Sequence, residues 1–353
     1  MYYRDSGRVI SSYRADHAIF RVEQDRWAVI ALAAAGALLP FALSEYWIVS
    51  ILIPFMVFSV AALGLNILVG YAGQLSLGTG GFMAIGAFAA YNLCTRLPEL
   101  NQLVCFVLAG GIAAVAGIVF GVPSLRIKGF YLAVATLALQ FFVEWLFQRV
   151  NWFSGNSSTG VISAPQLHMF GYDFVTPQSR FLLLYVITLI AAIAAKNLAR
   201  SATGRSWMAI RDMDIAAESI GVSPMRAKLS AFAVSSFFCG LAGALWVFFY
   251  IGTVETQAFD LNRSFQVLFM VIIGGLGTIL GPFLGAAFIV FLPIFLSATF
   301  ATIGRAFQAD LVSHIQLLIY GGAMLGILIF EPHGLARIGL NLREKMRIWP
   351  FPY

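Results

Sequence analysis

Residues 46–95 read YWIVSILIPFMVFSVAALGLNILVGYAGQLSLGTGGFMAIGAFAAYNLCT, a run from Tyr46 to Thr95 without a single Asp, Glu, Lys or Arg. About 20 apolar residues suffice for a helix to cross the hydrocarbon core of a bilayer, so the run has room for two crossings. The same absence of charge holds from Leu229 to Val254 and from Ser264 to Gly304. Over the whole chain, 60% of residues are hydrophobic and 11% charged, against roughly one quarter charged in a soluble domain. The chain therefore reads as an all-α, polytopic membrane protein.

Spans are expected near 27–43, 47–69, 79–94, 103–122, 130–147, 181–195, 229–251, 266–280, 282–297 and 311–330. That makes about ten transmembrane helices, or eight to ten if the glycine-rich breaks described below are re-entrant. Ten crossings leave both termini on one side, and that side collects 17 of the 22 Lys and Arg residues, from Arg4 through Lys128 and Arg211 to Arg347. The excess makes it the cytoplasmic side. The net charge of +6 is thus a topology signal and not a nucleic-acid surface. Residues 1–26 form a cytoplasmic N-terminal segment that lacks the form of a cleavable leader, 27–330 the membrane domain, and 331–353 a cytoplasmic tail. Cys94, Cys105 and Cys239 have no paired spacing, and no metal site is expected from them.

Two connections are long enough for structure of their own. Residues 150–180 fall on the outer side and carry turn-forming Asn, Ser, Gly and Pro. On the cytoplasmic side, 204–228 reads as a capped helical segment: Asp214 suits an N-cap, Gly221 a left-handed end, and Ser223 with Pro224 starts the next helix. Met213, Ala216, Ala217 and Ile220 share one side, leaving Arg211, Asp212 and Glu218 to face water or a partner. The small Ala216 and Ala217 would admit a close protein surface.

Two apolar regions are broken by glycine: 70–81, reading GYAGQLSLGTGG, and 274–282, reading GGLGTILGP. Irregular backbone at membrane depth is tolerated only where it is buried in protein or lines a cavity. Asn66, Gly70, Gly73, Gln74, Ser76 and Gly78 at the first break, and Gly274, Gly275 and Gly277 at the second, are accordingly candidates for a translocation path. Each break is followed by a similar string, from Gly81 to Phe88 and from Gly281 to Phe288, as an internal repeat would give. Ionisable groups within spans are scarce, with Glu144 near an outer end and His314 near the start of the last span, which argues against an ion-coupled carrier. A passive channel remains the reading from another class. No phosphate loop, zinc-protease helix or nucleophile elbow is present, so the chain is not expected to be an enzyme or to bind a nucleotide itself.

The first break, the string LRIKGFYLA at 125–133, AIRD at 209–212 followed by AAESIG at 216–221, and GGLG at 274–277 with Gly281 and Pro282 occur in one order. Together they resemble the permease family of branched-chain amino-acid ABC importers, nearer to its LivM-type subunit. The resemblance runs from about Leu65 to Leu335. It departs from the family at Thr79, where a histidine is common, and at Phe130, where an acidic residue is common. It implies a multi-pass subunit of the bacterial inner membrane that carries branched-chain or other hydrophobic amino acids, with urea, amides or small carboxylates as the alternative cargo. It also implies a sister permease of the LivH type, two cytoplasmic ATPases that use ATP and Mg, a periplasmic solute-binding protein, and no cofactor on this chain. The segment with Arg211, Asp212, Asp214, Ala216, Ala217, Glu218 and Gly221 would be the coupling helix seated in an ATPase cleft.

Overall fold

The computed structural model describes residues 23–124, 130–150, 152–153, 161–169, 171–303, 309–330 and 334–339. Most of the N-terminal segment, the turn with Arg126 and Lys128, most of the Asn151–Gly160 stretch and most of the 331–353 tail lie outside the described residues.

Helices dominate. In chain order they are α1 (Glu23–Ala42), α2 (Glu45–Tyr71), α3 (Thr79–Arg96), α4 (Gln102–Ser124), α5 (Phe130–Arg149), α6 (Pro177–Arg200), α7 (Ala202–Asp212), α8 (Asp214–Ser219), α9 (Pro224–Ile251), α10 (Leu261–Gly274), α11 (Gly281–Ile303) and α12 (Ala309–Phe330). Among the described residues, six helices are long and apolar enough to cross a membrane: α2, α4, α5, α6, α9 and α11. The protein is a mostly helical, multi-pass membrane protein. It is not purely α, because the outer connection contributes β1 (Ile162–Ser163), which pairs with β4 (Thr253–Val254) beyond α9, and the hairpin of β2 (His168–Met169) with β3 (Tyr172–Asp173). Outside the bilayer core, water and neighbouring loops let backbone groups pair in either form.

The sequence supplies the helix ends. Thr176 accepts the Ser179 N–H ahead of Pro177, Ser201 accepts the Gly204 N–H, and Asp260 accepts the Arg263 N–H. Each satisfies a donor that the first turn would leave orphaned. Within the bundle, α9 lies at the centre against α2, α3 and α4, and small residues set how near it comes. Gly86 faces the backbone of Gly240, and Gly243 faces the carbonyl of Met83, with no space at either for a β-carbon. Without a hydrophobic driving force between helices in lipid, such close backbone approach is what van der Waals packing requires.

One expected span is corrected. In place of a helix over 266–280, α10 runs Leu261–Gly274 and stops where Gly275 takes φ +119° and Gly277 φ +70°. Its 14 residues span only about 21 Å, short of the roughly 30 Å hydrocarbon thickness.

Candidate translocation and coupling site

Depth within the bundle can be read from two helices. Phe58 is thirteen residues from either end of Glu45–Tyr71, and Gln140 is nine from either end of Tyr131–Arg149, so each marks the middle of its own helix. Arg211 lies on α7, beyond the end of α6.

The first break runs between these levels. At its inner end Gly73 takes φ +68°, and a β-carbon there would stand 2.7 Å from Arg211 Cγ. Further along, the Leu77 N–H donates to Thr136 Oγ1 at 2.9 Å, and the Gly81 N–H donates to Gln140 Oε1. The next N–H, of Gly80, donates to Ser264 Oγ at 2.8 Å. Thr136 and Gln140 are one turn apart on α5, so the break is laid along that helix as far as its middle. There α3 begins, its orphan donors satisfied by side chains of α5 and α10. Gln140 also donates to Phe259 O at 2.6 Å and to Glu144 Oε1 at 2.7 Å, and it accepts from Ser264 Oγ at 3.2 Å. Gln74 Oε1 and Thr79 Oγ1 are buried without a hydrogen-bond partner. Ser76 is turned into the break, where its Oγ accepts the Gly78 N–H at 3.4 Å.

The second break is tied to the first by one side chain, that of Asn66. Asn66 Oδ1 accepts the Gly277 N–H at 2.9 Å, while Asn66 Nδ2 donates to Thr278 O at 2.8 Å. A β-carbon on Gly70 would collide with both Asn66 and the Gly277 backbone, and one on Gly274 would collide with Gly281 O. The glycines are there because two backbones touch.

Arg211 joins this junction to the 204–228 segment. Its Nη1 donates to Gly70 O at 2.8 Å, and its Nε to Asp212 Oδ1 at 2.9 Å. Arg211 is exposed, in keeping with the sequence expectation, and its guanidinium at the same time supplies a donor to the helix-end carbonyl of Gly70. α7 is fixed in turn by Trp207, fully buried, whose Nε1 donates to Ser230 Oγ at 2.8 Å. Between the first break and this segment lies a cavity of ≈ 500 Å³, lined among others by Gly73, Gln74, Leu132, Arg211, Met213 and Lys228.

Two further expectations about the segment change. Met213, extended at φ −156°, is the N-cap, and Asp214 is the first helical residue, where a carboxylate still meets the positive end of the helix dipole. The two alanines divide: Ala217 is packed inside the chain, while Ala216 is exposed. Met213, Ile215 and Ile220 are 69%, 79% and 76% exposed, with Glu218 exposed beside them. Gly221 takes φ +90° and ends the segment as expected.

Sequence reading missed a charged group packed on the aromatic side chains of the bundle. The Arg263 guanidinium carbon lies 5.0 Å from the Trp246 ring centre and 5.2 Å from that of Phe58. Because α10 was placed to begin at 266, Arg263 fell outside the expected span. The available signal was the N-cap pattern of Asp260 followed by Leu261, Asn262 and Arg263, which starts the helix earlier. Among the described residues no cluster of His, Cys, Asp or Glu could hold a metal ion.

Residues 47–328 match the family model described as the branched-chain amino acid transport system / permease component. The high-affinity branched-chain amino acid transport system permease protein LivM of Escherichia coli is 32% identical over 330 residues, covering 87% of this chain and 74% of its own. Its Salmonella typhimurium counterpart is 32% identical over 303 residues, covering 79% and 68%. The autoinducer 2 import system permease protein LsrC of an Enterobacter strain is 30% identical over 219 residues, 60% of this chain and 59% of that one. No solved structure matches the chain.

Proposed function

Since the chain belongs to the branched-chain amino acid transport permease family, and is a permease component and not itself an enzyme, we propose that it forms half of the translocation unit of an ATP-driven importer for branched-chain or other hydrophobic amino acids. It sits in the bacterial inner membrane with about ten crossings and both termini in the cytoplasm. A LivH-type sister permease completes the path, a periplasmic binding protein delivers the solute, and two cytoplasmic ATPases drive the cycle with ATP and Mg. The chain binds no cofactor of its own.

The observation that carries this reading is the contact of Arg211 with Gly70 O, 2.8 Å across 141 residues of sequence. It gives the cytoplasmic segment a direct hold on the first break, and Asn66 extends that hold to the second. The exposed Met213, Ile215, Ala216, Glu218 and Ile220 form the face that an ATPase cleft would receive. When the ATPases close, the segment moves, and both breaks move with it as a unit, so that the path alternates between outward and inward access. Asn66, Gly70, Gly73, Gln74, Ser76, Gly78, Gly274, Gly275 and Gly277 border that moving junction.

A second reading of the cargo is favoured by the likeness to LsrC, whose printed name attaches to import of autoinducer 2. The architecture is thus compatible with solutes other than amino acids, including urea, amides and small carboxylates. Uptake by the reconstituted transporter, with its own binding protein and a panel of these solutes, decides between them. ATP-dependent accumulation of leucine, isoleucine or valine supports the amino-acid reading. Accumulation of urea or an amide alone replaces it.

A further inference from the structure

Cys94 and Cys105 have no paired spacing in sequence, yet the α3–α4 hairpin brings them level. Both helices meet α9 at one residue. Gly86 of α3 stands against the Gly240 backbone, and a β-carbon on Gly240 would meet the Ala113 side chain of α4, so Gly86 and Ala113 lie at the same height. From there α3 runs through the buried Ala90 to Cys94, and α4 runs back through the buried Ala109 to Cys105, at every fourth residue on each. Residues four apart are neighbours on a helix face, and eight residues make about two turns, or roughly 12 Å, on either helix. The two cysteines therefore arrive opposite each other, and their thiols are within hydrogen-bonding reach.

The small residues between the helices matter for what this pair can do. A disulfide needs Cα atoms roughly 5.5–6 Å apart, and helices come so near only where little side chain stands between them. Access divides the pair: Cys105 is fully buried, whereas Cys94 is partly exposed. The turn at 97–101 is tied to the 150–180 connection, with Arg96 Nη2 donating to Trp152 O at 2.9 Å and Gln102 Nε2 to Gln166 O at 2.8 Å. Cys239 is placed differently. It is buried in α9, where its thiol faces Ala61 O at 3.9 Å.

We propose that Cys94 and Cys105 form a disulfide that clasps α3 to α4 at the end away from the first break. The proposal rests on the importer reading for its topology, which puts the 97–101 turn on the periplasmic side, where paired thiols are oxidised and stay so. The oxidant is a protein or small-molecule disulfide of that compartment. Cys94, the reachable thiol, attacks one of its sulfurs as the thiolate, which forms a mixed disulfide and releases one thiolate. Cys105 then gives up its proton, and its sulfur attacks Cys94 Sγ. The Sγ–Sγ bond forms as the bond to the oxidant breaks and the second thiolate leaves. Two thiols of this chain lose two electrons and two protons, and the oxidant becomes two thiols.

The complete transporter is produced in bacteria with an oxidising periplasm, and its membranes are prepared and unfolded with N-ethylmaleimide present throughout. The chain is then labelled, with or without prior reduction, by a maleimide polymer that shifts its mobility on a gel, and its linked peptides are mapped by mass spectrometry. Wild type is expected to take no label without reductant and two labels after it, with Cys94 and Cys105 in the linked peptides. Cys94→Ala and Cys105→Ala are each expected to lose both labels, and Cys239→Ala to keep both. Reduction should lower the thermal midpoint of wild type by several degrees and leave that of Cys94→Ala unmoved; a wild-type midpoint indifferent to reduction would overturn the clasp. Wild type that takes no label even after reduction would overturn the disulfide, and that result needs no variant to fold. A bond from either cysteine to Cys239 or to another chain would overturn it as well. Orientation is tested apart, by adding an impermeant maleimide to intact spheroplasts that carry Glu99→Cys in a chain with its three native cysteines changed to alanine. Labelling from outside while wild type shows no disulfide defeats the proposal and leaves the importer topology standing. Labelling only after lysis, with the Cys94–Cys105 bond present in wild type, defeats the topology and leaves the disulfide standing.

Discussion

The two glycine-rich breaks look alike in sequence and differ in build. The first is long, held along α5 at Thr136 and Gln140, and it runs as far as the middle of that helix. The second is a tight turn, where Gly275 and Gly277 take positive φ and α11 sets off beside α10. A glycine-rich run in an apolar chain therefore does not define one kind of element. What decides is the supply of side-chain partners. Where a neighbouring helix offers a hydroxyl and an amide a turn apart, backbone can run along it; where only an opposing backbone is near, it must turn at once.

The sharpest way to break this comparison is at the place where the two runs meet. Gly70→Leu is expected to force the breaks apart, because its side chain has no space between Asn66 and Gly277. Little folded protein should be recovered, as read by monodispersity in detergent and by uptake in membranes. Asn66→Leu comes next: it keeps the volume but leaves the Gly277 N–H and the Thr278 carbonyl without partners. Each buried unmet group costs about 1–3 kcal/mol, and a clear drop in thermal midpoint is expected with uptake reduced further than the midpoint shift explains. Thr136→Val touches only the first break, removing one anchor of its extended stretch at a cost of about 1 kcal/mol. Its stability should be almost unchanged and its uptake several-fold slower; equal loss of both would mean that the break is plain packing. Ala216→Arg is expected to affect stability least, since that residue is exposed, while abolishing co-purification of the ATPases. Ala217→Arg, by contrast, should destabilise the segment itself, because Ala217 is buried within the chain.

Much of this architecture was legible from composition. Charge-free runs gave the membrane class, and glycine and proline positions marked where helices stop. The residues at the two breaks could be named in advance because glycine interrupts an otherwise apolar helical pattern there. Other features were not readable, for physical reasons. Asn66, Thr136 and Gln140 serve backbone groups far away in sequence, and nothing local distinguishes them from polar residues that simply join two helices. Arg211 reads as a water-facing charge on an amphipathic segment and is exposed, but nothing local shows that its guanidinium also serves the distant carbonyl of Gly70. Arg263 was set aside because a span over 266–280 left it out, whereas the helix runs Leu261–Gly274 and carries the arginine in its first turn.

The central claim is that movement of the 204–228 segment reaches the breaks through Arg211. Its most direct test is the ratio of leucine taken up to ATP hydrolysed by the reconstituted transporter carrying Arg211→Gln, compared with wild type. Loss of a charge-assisted hydrogen bond worth roughly 1.5–3 kcal/mol is expected to leave the ATPases bound and hydrolysing while uptake per ATP falls by about ten-fold or more. An unchanged ratio in an assembled, active complex would contradict the account.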